Sequence, residues 1–366
     1  MSDARHYSRI RYRLMLAELV GGLLFLWLYQ VTGVSAWAAE WAASRAADEW
    51  LHLAWYLAVF GVCSYVVFFP LHLYGGFIVE HRFGLSRMTL GQWIVREAKQ
   101  GLMSAALGLA LLEGLYALVR ALPTAWPLMA AMGWVGVSVV LARVFPTVLL
   151  PIFYKTAPLG DAPLVQRLLT LCKQARVKAL GVFRVDLGVE TRKANAALAG
   201  LGGSRRVLLS DTLLERFSPE EIETVLGHEL GHQRYRHITI FLALSGVGSV
   251  LAFSLVQWSA GWWLAPLRLH GLADPAGFPT LMLALSLMGL VGLPLQNGLS
   301  RACEWQADRF AVTLTHAPKA FAAALKKLAE LNLADPSPPR WVVWLFYDHP
   351  PIADRIAAAE RVTSSL

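Results

Sequence analysis

Long stretches without Asp, Glu, Lys or Arg constrain this chain more than any other feature of its sequence. Five of them exceed about 20 residues, the length of a membrane span; they cover 19–39, 53–79, 121–142, 238–267 and 275–300. A sixth, 101–112, continues to Val119 past the single acid Glu113. At about 1.5 Å of rise per residue, such helices cross about 30 Å of hydrocarbon. We predict six transmembrane helices. Five or seven stay open, because Arg143 interrupts the 121–154 region, which is one long helix or a broken pair.

The same pattern divides the chain into regions. We predict an N-terminal membrane region over 1–154 with four spans, and a second region over 155–366 that a membrane hairpin at about 238–298 interrupts. Within the polar part of the second region, 163–176 has helical apolar spacing. Two β-rich runs, 182–190 and 205–210, flank a glycine-rich stretch and predict a small hairpin or an edge-stranded sheet.

Residues 218–221 carry the signals that start a helix. Ser218 suits the N-cap, Pro219 suits the first helical position, and Glu221 completes a capping box. We predict that the helix beginning there runs through at least His237. Histidines such as His237 are more often packing residues than ligands.

The distribution of charge predicts an orientation in the membrane. The net charge is +8, but in a chain with this many apolar spans, Lys and Arg usually report topology, and we expect no nucleic-acid partner. Arginines dominate the N-terminal segment and basic residues the 80–100 loop, whereas acids dominate the 34–52 loop. We therefore predict a cytoplasmic N-terminus, a cytoplasmic 155–237 segment and a cytoplasmic C-terminus. The Ala-, Leu-, Arg- and Trp-rich composition hints at a GC-rich bacterium, hence an inner membrane.

The first span and the cysteines argue against a secreted, disulfide-linked protein. The first span is too long for the apolar core of a signal peptide and lacks a small-residue cleavage site, so we interpret it as an anchor. Cys63, Cys172 and Cys303 are odd in number and widely spaced, and support neither a disulfide framework nor a cysteine-based zinc site.

The candidate chemistry begins with His228-Glu229-Leu230-Gly231-His232, an HExxH motif. On a helix, residues four apart face the same side, so His228 and His232 can reach one ion. Glu229 lies on the neighbouring flank, where it can take a proton from a bound water. Zinc suits this set, because it takes nitrogen ligands and leaves one position open in catalytic sites. Alone, the motif also fits a polar helix end with two solvated histidines.

A second motif, which is acidic, offers a third metal ligand and a hydrogen-bond partner for a ligating histidine. Glu304 and Asp308 follow the last span and, on a helix, project from one face. Glu304 can be the third ligand, while Asp308 can accept a hydrogen bond from a ligating histidine and hold its tautomer. An exposed acidic face is the other interpretation. It is weakened by the membrane hairpin, which returns both motifs to the same face of the membrane.

Together these motifs resemble the type I CAAX prenyl protease family of membrane metallopeptidases. The HELGH motif is followed by the ExxAD residues of Glu304 to Asp308, and further matching segments are Glu80 to Ser86, Lys193 to Ala196, Asp211 to Leu214, and His349-Pro350-Pro351 with Arg355. The active-site motifs occur in the family's order. The resemblance implies a mainly α, polytopic membrane protein with a small α+β, gluzincin-like zinc metallopeptidase region and one Zn²⁺ per chain.

The resemblance also implies roles for residues outside the two motifs. Asn195 and Ala196 match an edge-strand segment that binds the substrate backbone, and His349 and Arg355 match residues that steady the tetrahedral intermediate. From the residues alone, Asn195 also fits a turn among glycines, and Arg355 a structural salt bridge. The partners expected are the lipid bilayer and a polypeptide substrate associated with the membrane.

The resemblance predicts a CAAX-protease-like enzyme, with membrane protein quality control as one role, and two alternatives to it are open at this point. One is a shorter heat-shock membrane protease of the HtpX type, although four spans before the catalytic region favour the CAAX-protease plan. The other is a scaffold or transporter that binds zinc for structure. Glu229 argues against it, because a structural zinc site needs no base.

Overall fold

Six helical segments long and apolar enough to cross a membrane dominate the fold. The structure is a computed structural model that describes residues 2–335 and 337–364. Within that part of the chain, the six segments are Asp3–Val31, Glu49–Arg82, Leu90–Ala121, Trp126–Phe153, His237–Trp263 and Pro275–Thr315. The predicted number of spans is therefore confirmed, and the protein is an integral, multi-pass membrane protein.

Fifteen α-helices, counted over the described residues, build these spans and the polar regions. In chain order they are α1 (Ser2–Val31), α2 (Val34–Ala43), α3 (Glu49–Leu73), α4 (Val79–Arg82), α5 (Leu90–Ala121), α6 (Trp126–Val144), α7 (Leu150–Phe153), α8 (Ala162–Gln174), α9 (Asp211–Arg216), α10 (Pro219–Arg234), α11 (His237–Trp263), α12 (Phe278–Thr315), α13 (Pro318–Leu331), α14 (Arg340–Phe346) and α15 (Ile352–Ser364).

The span around Arg143 is one continuous helical segment. A π-helical turn, Phe145–Leu149, joins α6 to α7, as another, Tyr74–Ile78, joins α3 to α4. Pro146 lies in the former turn and has no N–H to give to the helix, which accounts for the wider turn at this point. The apolar stretch 19–39, by contrast, is divided between two helices, because Gly33 adopts a left-handed conformation (φ 80°) between α1 and α2.

A small mixed sheet lies in the polar region after the fourth span. Its strands are β1 (Thr156–Pro158), β2 (Val182–Val185), β3 (Ala196–Ala199) and β4 (Arg206–Ser210), in the order β1-β2-β4-β3. The predicted run 205–210 forms β4, but of the run 182–190 only Val182–Val185 is a strand. The two strands do not form a hairpin, because β2 and β4 run parallel. Between them the chain forms β3, which pairs antiparallel with β4 at the edge of the sheet. Alanine is depleted in strands, so the Ala-rich β3 carries no strand signal of its own.

Helices cover the sheet and hold α10 in place. The predicted helix at 163–176 is α8, with Asp161 as its N-cap. A buried core joins α8, the sheet, α10 and α13, and includes Leu168, Leu209 and Leu230, each no more than 1% exposed. The observed architecture is thus the predicted one, a mainly α, polytopic membrane protein with a small α+β region.

The helix that begins at Ser218 ends earlier than predicted. The capping box is present, with the Ser218 and Glu221 side chains each bonded to the other's backbone N–H. The helix stops at Arg234 and not beyond His237, because Arg236 adopts a left-handed conformation (φ 57°) that a helix cannot continue through. His237 instead begins α11, so the chain turns sharply beside the HExxH motif.

Candidate metal centre

Two packed helices, α10 and α12, build the centre. His228 and His232 lie four residues apart on α10, and Glu304 and Asp308 lie four apart on α12. Small residues let the two backbones approach closely. A Cβ on Gly231 would lie 2.8 Å from the Cα of Ala307, and one on Gly227 3.2 Å from the Cα of Ala311. The glycine of HELGH therefore serves the packing that brings the two motifs together.

The side chains of His228, His232 and Glu304 converge on one point. His228 Nε2 and His232 Nε2 lie 3.1 Å apart, and they are 3.3 Å and 3.1 Å from the two carboxylate oxygens of Glu304. Glu304 is only 3% exposed. Its buried Oε2 faces His228 Nε2 at 3.3 Å, but no aligned hydrogen bond reaches this oxygen from the described residues. A buried carboxylate oxygen without a hydrogen bond is costly unless a cation satisfies it, so the donor set fits a metal ion.

The electrostatics around His228 also favour a cation. Its Nδ1 lies 2.8 Å from Asp308 Oδ1. Burial disfavours positive charge on His228, but the neighbouring carboxylates of Asp308 and Glu304 together outweigh burial and raise the pKa of His228 to about 9. The carboxylates that stabilise a proton on this ring stabilise positive charge at the centre in general.

Arg355 is clamped to Asp308. Its Nε and one terminal nitrogen donate to the two carboxylate oxygens, at 2.8 Å and 2.6 Å. Burial lowers the pKa of the guanidinium, but the hydrogen bonds with Asp308 and the negative charges of Asp308 and Glu304 together outweigh burial and raise it. The partly exposed carboxylate of Glu229 acts in the same direction, so Glu229 lies within electrostatic reach of Arg355.

His349 also reaches the centre from the C-terminal segment. Its Nε2 lies 3.3 Å from Glu304 Oε1, and its Nδ1 lies 2.8 Å from Asp348 Oδ1. The Asp348 carboxylate raises the pKa of His349 above its usual value. The His349 side chain is 53% exposed, so it borders the open side of the centre.

Asn195 and Ala196 lie at the sheet edge, outside the convergent group of His228, His232 and Glu304. The backbone of Asn195 pairs with Ser210, since its N–H donates to Ser210 Oγ and its C=O accepts from Ser210 N–H, both at 3.0 Å. The Asn195 side chain is exposed. α10 packs against β3, so this edge adjoins the helix that bears the HExxH motif.

Reasoning from the sequence missed one contact at the centre. His237, predicted to be a packing residue, is 2% exposed and lies 2.9 Å from His232, Nδ1 to Nδ1. Its Nε2 lies 2.9 Å from Gln306 Oε1. A histidine five residues after a ligand carries no signal on a continuous helix, where it would point away from the ligand. The turn at Arg236 is what brings it back.

Comparison with known proteins assigns this architecture to a family. Residues 158–363 match the sequence model of peptidase family M48, and residues 1–155 match that of the CAAX prenyl protease N-terminal region, described as five membrane helices. A CAAX prenyl protease 1 homolog of Arabidopsis thaliana is 30% identical over 327 residues, which are 86% of this chain and 74% of the relative. The metalloprotease YhfN of Bacillus subtilis is 26% identical over 99% of this chain and 85% of its own length.

The fold is that of a solved relative. The crystal structure of S. mikatae Ste24p superposes with a TM-score of 0.87 at 24% identity, over 98% of this chain and 88% of that one. The match of residues 1–155 to the CAAX prenyl protease N-terminal region disfavours the HtpX-type alternative, and the match of residues 158–363 to a peptidase family disfavours the non-enzymatic one. Because the M48 match covers more than half of the sequence and includes the convergent His228, His232 and Glu304, the chain belongs to peptidase family M48 and is a membrane-embedded metalloendopeptidase.

Proposed function

We propose that this protein is a zinc endopeptidase that hydrolyses membrane-associated polypeptides, with His228, His232 and Glu304 as the zinc ligands. The convergence of these three side chains, whose ligand atoms all lie within 4.8 Å of one another, carries the proposal. Two imidazole nitrogens and one carboxylate are a donor set typical of catalytic zinc, which keeps a further position open. We expect one zinc per chain. Bound there, zinc supplies Lewis-acid polarisation of the scissile carbonyl and acidifies a water.

Glu229 is the proposed general base. It follows His228 on α10 and is only partly buried, so a water or a substrate amide can reach its carboxylate. In the proposed reaction Glu229 accepts a proton from the attacking water and then returns it to the leaving amine.

Asp308 and Arg355 are proposed to hold His228. Asp308 accepts the Nδ1–H of His228 and so leaves Nε2 free to bind metal. Arg355 keeps Asp308 ionised and oriented through a bidentate pair. This geometry supports positioning more directly than the oxyanion role that the resemblance implies for Arg355. The exposed His349 is better placed for that role, because it borders the open side of the centre.

The free edge of β3 is the proposed binding site for the substrate backbone. One side of β3 pairs with β4, and the sheet has no strand beyond it in the described residues. An extended peptide can add to such an edge through main-chain hydrogen bonds. Asn195 and Ala196 stand where β3 begins, with the Asn195 amide exposed to the added chain.

Membrane association of the substrate follows from the position of the centre. α12 continues without interruption from the last apolar stretch to Glu304 and Asp308, so the metal centre lies where this helix leaves the membrane. Several relatives are named CAAX prenyl proteases. We propose membrane-associated polypeptides in general as substrates, of which prenylated chains are one class.

A substrate-trapping comparison tests this function. Membrane fractions from cells that express the wild-type protein or Glu229→Gln are compared by proteomics, with His270→Ala, a variant of a side chain that is 96% exposed, as the control. We expect membrane-associated polypeptides to accumulate uncleaved only with Glu229→Gln. Identical proteomes in all three strains, or accumulation of soluble proteins alone, would contradict the proposal.

The proposed location is a bacterial inner membrane, with the metal centre on the cytoplasmic side. Contacts support a common side for the N-terminus and the catalytic residues, since Tyr12 bonds Tyr347 (2.7 Å) and Lys193 pairs with Glu80 (2.9 Å). Ser35 instead bonds the carbonyl of Ala276 (2.7 Å), which groups the two loops of the other side. The bias of Lys and Arg assigns the first side to the cytoplasm. We also propose the division into a membrane region, 1–154, and a metallopeptidase region, 155–366.

Cysteine labelling tests the orientation. In a background without the three native cysteines, Arg45→Cys and Gly203→Cys place single thiols at exposed positions on the two sides. An impermeant maleimide added to intact cells is expected to label Cys at 45 and to leave Cys at 203 unlabelled until the cells are opened. Labelling only at 203 in intact cells would mean that the metal centre faces outward.

A further inference from the structure

The sharp turn between α10 and α11 brings a third histidine against a proposed zinc ligand. His237 is the first residue of α11 and is 2% exposed. Its ring meets that of His232 edge to face, with centroids 5.0 Å apart and an angle of 76°. The contact joins Nδ1 to Nδ1 at 2.9 Å, which is hydrogen-bond distance, so one nitrogen carries a proton and the other a lone pair.

Metal binding decides which nitrogen carries the proton. His232 Nε2 lies 3.1 Å from both His228 Nε2 and Glu304 Oε1, so Nε2 is its ligand atom and carries no proton. A neutral imidazole has one N–H, and in His232 it is therefore at Nδ1. His237 Nδ1 must accept it. The proton of neutral His237 is then at Nε2, which donates to Gln306 Oε1 at 2.9 Å.

The two proposed histidine ligands are thus supported by different chemistry. His228 donates to Asp308, an ionised carboxylate that Arg355 neutralises. His232 donates to the uncharged His237, whose own partner is the uncharged amide of Gln306. A carboxylate in the position of His237 would lie near Glu304 and would have no arginine to neutralise it, as Arg355 neutralises Asp308. Like charges close together are unfavourable. A neutral acceptor avoids that repulsion.

We propose that His237 is a positioning residue, which holds His232 in the Nδ1–H tautomer with Nε2 directed at the metal, and that Gln306 orients His237. The inference rests on the proposed zinc ligands. The turn at Arg236 then has the role of placing His237 against His232, because a continuous helix would carry His237 away from His232. Gln306, within the ExxAD segment, then has the role of orienting the His237 ring. Gln306 is exposed, so water can partly replace it, whereas His237 itself is 2% exposed.

A pair of nearly isosteric variants tests the proposal. Asn at 237 keeps an acceptor oxygen near the place of the histidine Nδ1, whereas Leu has a similar shape and no acceptor. The dissociation constant for zinc is measured on purified full-length protein in detergent by competition with a chelator at one neutral pH. We expect His237→Leu to weaken zinc binding by about 10- to 100-fold, the usual effect of losing such a partner, and His237→Asn to recover most of that loss.

Unfolding temperatures in excess chelator separate positioning from packing. A positioning role predicts similar unfolding temperatures for the Leu and Asn variants when zinc is removed, and His270→Ala serves as the control with unchanged zinc affinity. Wild-type zinc affinity in His237→Leu, or equal losses in the Leu and Asn variants, would overturn the proposal. The proposal would also be overturned if, in excess chelator, His237→Leu unfolded at a clearly lower temperature than His237→Asn. The weaker zinc binding of the Leu variant would then follow from poorer packing.

Gln306→Leu is the second variant, and it tests the positioning role of His237 if His237→Leu does not fold. We expect a smaller loss of zinc affinity than in His237→Leu, because water can accept from His237 at the exposed end. Unchanged affinity in Gln306→Leu together with an unfolded His237→Leu would overturn the proposal. The proposed function fails separately, if His228→Ala and His232→Ala keep their zinc.

Discussion

Alanine at His228, His232 or Glu304 is expected to lower the zinc content of the purified protein from about one ion per chain to background, and to abolish peptide cleavage. Each substitution removes one of three ligands. Loss of Glu304 also removes the buried carboxylate that faces both imidazoles. The remaining two ligands cannot complete a three-ligand catalytic site. Metal analysis after dialysis, with cleavage of a quenched peptide in detergent, measures both effects on the same preparations.

Two control variants sharpen this experiment. His270→Ala removes a histidine that is 96% exposed and lies in the loop between the last two spans. This variant should retain zinc and activity. His349→Ala removes a ring that lies 3.3 Å from Glu304 Oε1 but is outside the convergent group of three. It should retain zinc while losing activity. Undiminished zinc in all three ligand variants would refute the ligand assignment, and loss of zinc in His349→Ala would add a fourth ligand.

Glu229→Gln is expected to retain zinc, fold normally and lose at least about 100-fold in peptide cleavage, the scale for removal of a general base. Glutamine has nearly the volume of glutamate but cannot accept the proton of the attacking water. His228, His232 and Glu304 stay in place, so binding and catalysis separate. Zinc content, thermal unfolding and the rate of cleavage of a quenched peptide are measured together.

Glu223→Gln is the matched control, since it makes the same change on the same helix. Glu223 pairs with Arg167 at the protein surface (2.7 Å), where an ion pair contributes little to stability. We expect near wild-type activity there. Full activity in Glu229→Gln would exclude Glu229 as the base even with zinc bound.

Features with strong local signals were predicted from the sequence. The six spans follow from uncharged runs, because unpaired backbone groups cannot remain in hydrocarbon and a helix satisfies them internally. The start of α10 follows from its capping box, which involves only residues 218 to 221. The spacing of four residues in both motifs was enough to place His228 with His232 and Glu304 with Asp308 on one face each.

Features that depend on distant parts of the chain had no local signal in the sequence. β3 is a strand because β4 offers it a partner, not because alanines favour one. The clamp of Arg355 on Asp308 joins residues 47 positions apart; the sequence left a structural salt bridge open for Arg355 but could not name Asp308 as its partner.

The sequence by itself determined the six spans and which side chains share a face of α10 and of α12, because hydrophobic length and helical period are properties of one continuous segment of chain. Only the tertiary structure decided how these side chains meet. Close packing at Gly227 and Gly231 brings α10 onto α12, and the left-handed turn at Arg236 directs His237 to His232. Contacts of this kind depend on how whole helices fill space against one another, and no local pattern of residues encodes that.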